Sequence, residues 1–264
     1  MLFKDNAVSN QANPDEPVLI VKDLSAVFPN GNGGLQALEH VSFTVRQQEF
    51  LCVLGPSGSG KTTLLRILAG LLRPTSGKVI FEGHPLDGPR PGVGFVFQKA
   101  NLMPWRSVLR NILLPLELGG VQQAQALAKA QELVELVGLT GFEEALPRDL
   151  SGGMAQRVAI ARALAVDPDM LLLDEPFGSL DALTREHMGD ELLRIWSARR
   201  KTVVMVTHSI SEALYLADRV LVLSPRPGRV RLDLPVELPR PRQDEILYTP
   251  VFGELAHRLR SAIG

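Results

Sequence analysis

A glycine-rich segment early in the chain has the residue types that bind phosphate groups. It reads Gly55-Pro56-Ser57-Gly58-Ser59-Gly60-Lys61-Thr62 and is followed by Thr63. This is the pattern G-x-x-x-x-G-K-[ST], in which glycines let backbone N–H groups surround a phosphate at the start of a helix. We expect Lys61 to reach the β- and γ-phosphates of a nucleotide and the Thr62 hydroxyl to ligate Mg²⁺.

Two carboxylates follow the apolar run Met170–Leu173. Asp174, at the end of that predicted strand, can hold Mg²⁺ through water, and Glu175 can polarise a water molecule that attacks a phosphate. An isolated Asp-Glu pair is commonly a solvated helix cap instead. Because the chain also carries a phosphate loop, we predict the catalytic roles.

A second glycine motif opens a later helix. Ser151 is a plausible N-cap, and Gly152 and Gly153 follow it. The predicted buried stripe of this helix is Met154, Val158, Ala161, Leu164 and Ala165. A Ser-Gly-Gly helix start is a second anion site, although such a start alone is most often only a cap.

Apolar runs separated by helical segments surround these motifs. The runs are Phe50–Leu54, Val93–Phe97, Met170–Leu173, Val203–Val206 and Val220–Leu223. Continuous apolar runs are typical of strands buried on both faces, and their alternation with helices favours an α/β fold with a mostly parallel sheet. We also predict two short strands, Val18–Val21 and Ala26–Phe28, and an alternating strand, Val41–Val45.

Helical patterns are clearest in three places. Lys61–Leu72 predicts a helix with one apolar face, formed by Leu64, Leu65, Leu68, Leu71 and Leu72. Residues 99–150 are rich in helix formers, with Val121–Val137 nearly free of breakers, which indicates an inserted helical subdomain. Beyond Leu223, repeated prolines predict an extended tail before a final helix over Val251–Ala262.

Composition limits the classes of protein that remain. The 264 residues include 28 Lys+Arg and 29 Asp+Glu, a net charge of -1, which argues against a nucleic-acid partner. The only cysteine, Cys52, excludes an internal disulfide and fits a reducing compartment. No apolar run reaches the roughly 18 residues of a membrane span, and the polar N-terminus lacks a secretory signal. We therefore expect a cytosolic chain.

Four histidines lack the spacing that is typical of metal ligands, and we expect them to lie on the surface. We expect Trp105 and Trp196 to be packing residues. The predicted surface histidines are His40, His84, His187 and His257.

Taken together, the motifs resemble those of the ATP-binding cassette (ABC) ATPases, the engine subunits of ABC transporters. The segment Leu150-Ser-Gly-Gly-Met-Ala-Gln-Arg157 is similar to the signature motif of that family, and its pairing with a phosphate loop is more specific than either motif alone. The resemblance covers roughly residues 17–224. It implies a P-loop NTPase core with a mostly parallel sheet, an N-terminal antiparallel β subdomain and an inserted α-helical subdomain.

The resemblance also implies roles for further residues. Gln98 matches the residue that touches Mg²⁺ and links the site to the helical subdomain, and Ser179-Leu180-Asp181 resembles the D-loop. His208 matches the switch histidine that contacts the γ-phosphate. Phe28 matches the aromatic that stacks on adenine, a position more often occupied by Tyr. Independently of the family, His208 precedes a predicted helix whose capping box is Ser209 and Glu212.

The implied domain organisation has three parts. Residues 1–16 form a flexible tail, residues 17–238 the nucleotide-binding domain with its helical subdomain at about 99–153, and residues 239–264 a short C-terminal extension.

In this family two cassettes pair head-to-tail. Each ATP is bound by the phosphate loop of one copy and by the signature, here Ser151, Gly152 and Gly153, of the other. The resemblance therefore implies a homodimer that uses ATP and Mg²⁺. It also implies a separate transmembrane permease, docked near residues 98–118 at the cytoplasmic face of the inner membrane, and an extracytoplasmic solute-binding protein.

The segments LMPWRSVLRNI and LSPRPGRV are similar to the corresponding segments of importers of nitrate, sulfonates and taurine. We therefore predict a small solute, an aliphatic sulfonate, taurine or a nitrate-like anion, with bicarbonate and pyrimidine precursors as further candidates. Alternatives are an ABC ATPase of another transport system or of DNA repair, a metabolic P-loop kinase, and a non-enzymatic binding module. Repair ATPases split the cassette with a long coiled coil, whereas only a short helical stretch separates Gln98 from Ser151 here.

Overall fold

The computed structural model describes residues 17–29, 34–178 and 180–264. The strands are β1 Pro17–Phe28, β2 Leu35–Arg46, β3 Phe50–Leu54, β4 Ser76–Phe81, β5 His84–Pro85, β6 Val93–Val96, β7 Met170–Asp174, β8 Thr202–Thr207, β9 Arg219–Leu223 and β10 Val230–Pro235. The helices are α1 Lys61–Leu68, α2 Val108–Leu118, α3 Gln123–Leu136, α4 Gly152–Leu164, α5 Ala182–Arg199, α6 Ile210–Leu216 and α7 Pro250–Ile263, with 3₁₀ turns at Pro147–Asp149 and Asp244–Tyr248. The predicted N-terminal tail and Ser179 lie outside the described residues.

The main sheet has six strands in the order β10-β9-β3-β8-β7-β6. All neighbours are parallel except β10, which joins β9 antiparallel. In β3, Phe50, Cys52 and Leu54 face one apolar cluster, whereas Leu51 and Val53 face the other. Both faces are therefore buried, which explains the continuous apolar runs. The predicted α/β fold with a mostly parallel sheet is confirmed.

A second, antiparallel sheet has the strand order β2-β1-β4-β5, which confirms the expected N-terminal β subdomain. The prediction of two short strands before residue 29 is wrong, because β1 is continuous. The chain passes Asp23 in a bulge, with φ 49° and a register shift between Val21 and Leu24. The Lys-Asp pair therefore bends the strand without ending it.

Helix α1 is shorter than predicted. Leu64, Leu65 and Leu68 are buried as expected, but Leu71 lies beyond the helix and is 51% exposed. The cause is Gly70, which has φ +69° and packs closely on Gly88. A Cβ on Gly70 would lie 2.2 Å from the carbonyl oxygen of Gly88. A left-handed glycine at this position ends the helix.

Helices α2, α3 and α4 form the inserted helical layer. Their buried side chains, among them Ile112, Ala130 and Val158, belong to the same apolar cluster as one face of the main sheet. Trp196 is buried and packs edge-on against Phe50 at 5.9 Å, as predicted for a packing residue. The same prediction is wrong for Trp105, which is 73% exposed. The four remaining histidines are exposed, as predicted: His40, His84, His187 and His257.

The tail beyond Leu223 is more ordered than its prolines predict, since β10 extends the main sheet and α7 buries Phe252, Leu255 and Leu259. Arg242 is also buried, and it donates to the terminal carbonyl oxygens of α6 at Leu214, Tyr215 and Ala217. A cation at a helix C-terminus complements the helix dipole. Burial lowers the pKa of Arg242 to about 10.

Candidate active site

The segment 55–60 connects the buried strand β3 to α1, as the phosphate-loop pattern predicts. Gly58 and Gly60 have φ +79° and +89°. A Cβ on Gly60 would lie 2.7 Å from Leu38 Cδ2 and 2.8 Å from the carbonyl oxygen of Ala37. The left-handed backbone and the close approach of β2 both require glycine at this position.

The start of α1 presents hydrogen-bond donors to this loop. The N–H of Leu64 donates to the carbonyl oxygen of Gly60 at 2.8 Å, so the N–H groups of the three preceding residues have no acceptor within the helix. The Ser59 hydroxyl is buried and has no hydrogen-bond partner among the described residues. Together with the helix dipole, these donors form a site suited to an anion.

The Lys61 ammonium lies beneath the loop. Nζ donates to the carbonyl oxygens of Gly55 at 2.8 Å and Pro56 at 3.1 Å, and it lies 3.9 Å from Oε1 of Glu175. Burial lowers the pKa of Lys61, and the carboxylates of Glu175 and Asp174 oppose that shift. The ammonium is therefore positioned at the loop mainly by two neutral backbone carbonyl oxygens.

Asp174 joins the end of β7 to the start of α1. Its Oδ1 accepts a hydrogen bond from the Thr62 hydroxyl at 2.9 Å. Burial raises the pKa of the Asp174 carboxyl, and the hydrogen bond from Thr62 opposes that shift. The two side chains bring oxygen ligands of the kind that hard divalent cations prefer to the floor of the loop.

Glu175 follows directly and has a backbone conformation that few side chains adopt. Its φ is 43°, and its N–H donates to the carbonyl oxygen of Val206 at 3.0 Å. A left-handed conformation costs a non-glycine residue on the order of 1 kcal/mol. In this conformation the carboxylate lies within 3.9 Å of the Lys61 ammonium and 3.2 Å of the His208 imidazole.

His208 lies between β8 and α6. Its Nδ1 is 3.2 Å from Oε2 of Glu175. Only half of the predicted capping box forms: Ser209 Oγ accepts from the N–H of Glu212 at 3.2 Å, but the Glu212 carboxylate does not return to Ser209. It accepts from the Thr207 hydroxyl at 2.6 Å, and the N–H of Ser209 donates to that same hydroxyl oxygen.

A pocket of about 410 Å³ opens above the phosphate loop. Its lining residues are Phe28, Leu35, Ala37, Ser57, Gly58, Gly60, Lys61, Thr62, Thr63, Gln98, Glu175 and Arg226. The structure thus brings the predicted phosphate-loop residues together with Phe28, Gln98 and Glu175. Arg226 was not predicted as a site residue, because the spacing within the segment LSPRPGRV does not show that it folds beside the phosphate loop.

The signature residues lie elsewhere. The Ser151 hydroxyl accepts from the N–H of Met154 at 3.2 Å, so Ser151 is the predicted N-cap of α4. A Cβ on Gly152 would lie 3.0 Å from Leu180 Cδ2. Asp181 caps α5 by accepting from the N–H of Thr184 at 3.0 Å. None of these residues lines the 410 Å³ pocket.

The segment around Gln98 is fastened to α4. Gln156 donates to the carbonyl oxygen of Phe97 at 3.1 Å, and Arg162 donates to those of Ala100 and Asn101 at 2.8 and 3.0 Å. These hydrogen bonds link the backbone on both sides of Gln98 to the helix that begins at the signature.

The next stretch, residues 102–106, is held by Asn111. This buried amide accepts from the N–H of Met103 at 2.8 Å and donates to the carbonyl oxygens of Met103 and Arg106 at 3.2 and 2.8 Å. Trp105 projects from this fixed stretch into solvent. Tryptophan is enriched among the residues that contribute most to binding at protein–protein interfaces.

Comparison with known proteins places these observations in context. The sequence profile described as ABC transporter matches residues 38–178. The chain is 44% identical to the aliphatic sulfonates import ATP-binding protein of Bacillus cereus, over 84% of this chain and 87% of that relative. It is 46% identical to the nitrate import ATP-binding protein of Synechocystis, over 84% and 83% of the two chains. The solved structure of the dimeric ATP-binding cassette MJ0796 bound to ADP and Pi aligns with a TM-score of 0.73 at 33% identity, covering 83% of this chain and 99% of that one.

Proposed function

The chain belongs to the ABC transporter family as an ATP-hydrolysing subunit, and we propose that it powers the import of a small solute: an aliphatic sulfonate, taurine or a nitrate-like anion. Relatives named for sulfonate and nitrate import support this solute class. The observation that carries the assignment of hydrolysis to the 410 Å³ pocket is the position of the Glu175 carboxylate. It lies 3.9 Å from the Lys61 ammonium and 3.2 Å from the His208 imidazole.

ATP binds with its phosphates in the loop. The N–H groups of the loop and of the first turn of α1 donate to the phosphate oxygens, and Lys61 neutralises charge on the β- and γ-phosphates. Phe28, on the wall formed with β2, stacks on the adenine. The glycines and the buried Ser59 hydroxyl support this placement, because they leave donors rather than side-chain bulk at the loop.

The residues that would hold Mg²⁺ are Thr62, Gln98 and Asp174. Thr62 and Asp174 present oxygens 2.9 Å apart, and Gln98 lines the same pocket, so the donor set fits a cation that prefers oxygen ligands and keeps several waters. When bound, Mg²⁺ supplies charge neutralisation for the β- and γ-phosphates.

Glu175 acts as the general base toward the attacking water. Its fixed backbone and its neighbour His208 orient the carboxylate, and His208 itself contacts the γ-phosphate. A positioned base contributes a factor of about 10²–10⁴ to the rate.

The second half of each nucleotide site comes from a second copy of the chain. Ser151, Gly152, Gly153 and Asp181 line no part of the pocket in the described chain, which supports a head-to-tail homodimer in which they serve the partner's ATP. The dimeric structure of the cassette MJ0796 supports the same arrangement.

Among the described residues, no helix combines the length and apolar character that crossing a bilayer requires. We assign the membrane step to a separate permease that docks near residues 98–118, with this chain peripheral at the cytoplasmic face of the inner membrane. An extracytoplasmic solute-binding protein delivers the solute.

Growth tests the proposed function directly. A deletion strain of the source organism is supplied with taurine, an alkanesulfonate or nitrate as the only source of sulfur or nitrogen and is complemented with the wild type or with Lys61→Ala. We expect the wild type alone to restore growth on at least one of these compounds. Normal growth of the deletion strain on all three would contradict the solute class, and restoration by Lys61→Ala would contradict the ATP requirement.

A further inference from the structure

We propose that Arg226 is a second cationic contact for the phosphate chain of the nucleotide, an inference that rests on the nucleotide site proposed above. Arg226 lies in the segment between β9 and β10, residues 224–229, which we call the 224–229 turn. It lines the 410 Å³ pocket together with Lys61, Thr62 and Phe28.

The parallel sheet places this turn beside the phosphate loop. Strands β3 and β9 are neighbours, and Leu54 pairs with Val222. The chain therefore leaves β9 at the same edge of the sheet where it leaves β3. The contact is close, since a Cβ on Gly55 would lie 3.0 Å from the carbonyl oxygen of Leu223.

Hydrogen bonds fix the shape of the 224–229 turn. The Ser224 hydroxyl donates to the carbonyl oxygen of Pro227 at 2.7 Å and accepts from the N–H of Arg229 at 3.0 Å. Both bonds join Ser224, which precedes Arg226, to residues that follow Arg226 in the chain. Its backbone is therefore held before any ligand binds.

Gly228 fastens the same turn to β2 and to the loop. Its N–H donates to the carbonyl oxygen of Ala37 at 2.9 Å, and its own carbonyl oxygen accepts from the N–H of Glu39 at 3.0 Å. A Cβ on Gly228 would lie 2.1 Å from the carbonyl oxygen of Ser59, so only glycine allows this approach. The turn and the phosphate loop are thus packed as one unit.

The guanidinium of Arg226 extends over the tip of the loop. Its Nε lies 3.5 Å from the carbonyl oxygen of Gly58, and Nη2 would lie 3.2 Å from a Cβ on Gly58. Within the described parts of the chain, no acidic side chain forms an ion pair with Arg226. The neighbouring Arg229 differs, because its guanidinium pairs with Glu39 at 2.6 Å.

A guanidinium whose hydrogen bond is a long 3.5 Å contact with the Gly58 carbonyl oxygen, and which has no acidic partner among the described residues, suits a phosphate. The triphosphate of ATP carries more negative charge than Lys61 alone neutralises, and the Lys61 ammonium is also shared with two loop carbonyls. Arg presents a planar fork of donors that matches phosphate oxygens, and such charge-assisted hydrogen bonds are stronger than neutral ones. The pocket therefore holds cations on two sides of the loop, one from α1 and one from the 224–229 turn.

The test is calorimetric titration of the purified full chain with Mg-ATP and with Mg-ADP. We expect Arg226→Gln to weaken binding of both nucleotides by about 10-fold, and Arg226→Lys to recover part of that loss because it keeps the charge. The difference between wild type and Arg226→Gln should shrink as KCl rises, since salt screens an exposed charge pair. Arg229→Gln removes the same charge from the same turn and should leave both affinities within about twofold of the wild type.

The outcomes separate this inference from the proposed function. Unchanged affinity in Arg226→Gln, with loss in Lys61→Ala, overturns the role of Arg226 and leaves the nucleotide site standing. Equal losses of nucleotide affinity in Arg226→Gln and Arg229→Gln overturn it as well. They would show that both substitutions disturb the turn, and not that Arg226 contacts the nucleotide. A wild-type chain that binds neither nucleotide contradicts the proposed function itself.

Discussion

Oε2 of Glu175 lies 3.2 Å from Nδ1 of His208, although 33 positions separate the two residues in the chain. Glu175 follows the end of β7, and His208 follows the end of β8. These strands are parallel neighbours, and Asp174 pairs with Val206. Because the carboxyl ends of parallel strands meet at one edge of the sheet, the register of β7 and β8 brings the acid and the imidazole together.

This geometry predicts a separation of hydrolysis from binding in Glu175→Gln. The change removes the basicity of the side chain but keeps its size, and it leaves Lys61, Thr62 and Asp174 in place. We expect phosphate release to fall by a factor of about 10²–10⁴ while ATP still binds. Size-exclusion chromatography with Mg-ATP should show the variant accumulating as a dimer.

Asp174→Asn is the matched control for that prediction. It disturbs the oxygen pair that Asp174 forms with Thr62, so dimer formation should weaken together with hydrolysis. A Glu175→Gln protein that hydrolyses ATP at the wild-type rate would remove the residue from the mechanism. A folded variant that neither hydrolyses nor dimerises would place Glu175 in the closure contacts instead.

Local sequence patterns predict the core strands well, because a strand that is buried on both faces needs apolar residues at consecutive positions. Every residue of β3 and β7 is buried; β3 is an unbroken apolar run, and β7 is one up to its last residue, Asp174. The continuity of β1 was not predictable in the same way. Asp23 is a residue type that is common in turns. Pairing of β1 with β2 on one side and β4 on the other keeps the strand extended through the bulge.

The site shows the same division. The phosphate loop and the acidic strand end can be read from adjacent residues, because each depends on one strand-to-loop transition. The capping box at Ser209 was half wrong because Thr207 competes for the Glu212 carboxylate. Arg226 escaped prediction because its position depends on the neighbouring strands β3 and β9, which local spacing does not reveal.

Ser151→Arg should abolish hydrolysis while the isolated chain still binds ATP. Ser151 is exposed and lines no part of the pocket, so its bulk should affect only the nucleotide of a partner copy. Loss of the N-cap itself costs about 1 kcal/mol, and Ser151→Ala controls for that loss without adding bulk. Nucleotide titration and phosphate release measure the two effects. Loss of ATP binding by the folded monomer would show that Ser151 acts within its own chain.

Trp105→Asp should weaken assembly with the permease and spare ATP binding. Trp105 is 73% exposed on a stretch held by Asn111, so a charge there should not disturb the fold. Tyr248→Asp is the control, because Tyr248 is 86% exposed and lies far along the chain, at the end of a 3₁₀ turn. Co-purification of the tagged permease measures assembly. Equal recovery with Trp105→Asp and with the wild type would place the docking surface elsewhere.

Glu212 carries a largely buried carboxyl near His208, with 15% of its side chain exposed. It accepts a hydrogen bond from Thr207 at 2.6 Å, and the guanidinium of Arg185 lies 3.6 Å away. Burial raises the pKa of Glu212 above its ordinary 4.5, and the carboxylate of Glu175 adds to that shift. The Thr207 hydrogen bond and the charges of Arg185 and His208 oppose it.

The sign of the pH dependence follows from that raised pKa. The folded chain holds the Glu212 proton to a higher pH than the unfolded chain, so this residue stabilises the fold most below pH 4.5 and loses that contribution as pH rises through the folded pKa. Glu212→Gln has no proton to lose. Its free energy of unfolding, measured by urea denaturation at a series of pH values from about 4 to 8, should therefore rise relative to the wild type across that window. Glu254→Gln, at an exposed position on α7, should follow the wild type at every pH. Parallel curves for Glu212→Gln and the wild type would mean that the buried carboxyl titrates alike in the folded and unfolded chains, and the raised pKa would be wrong.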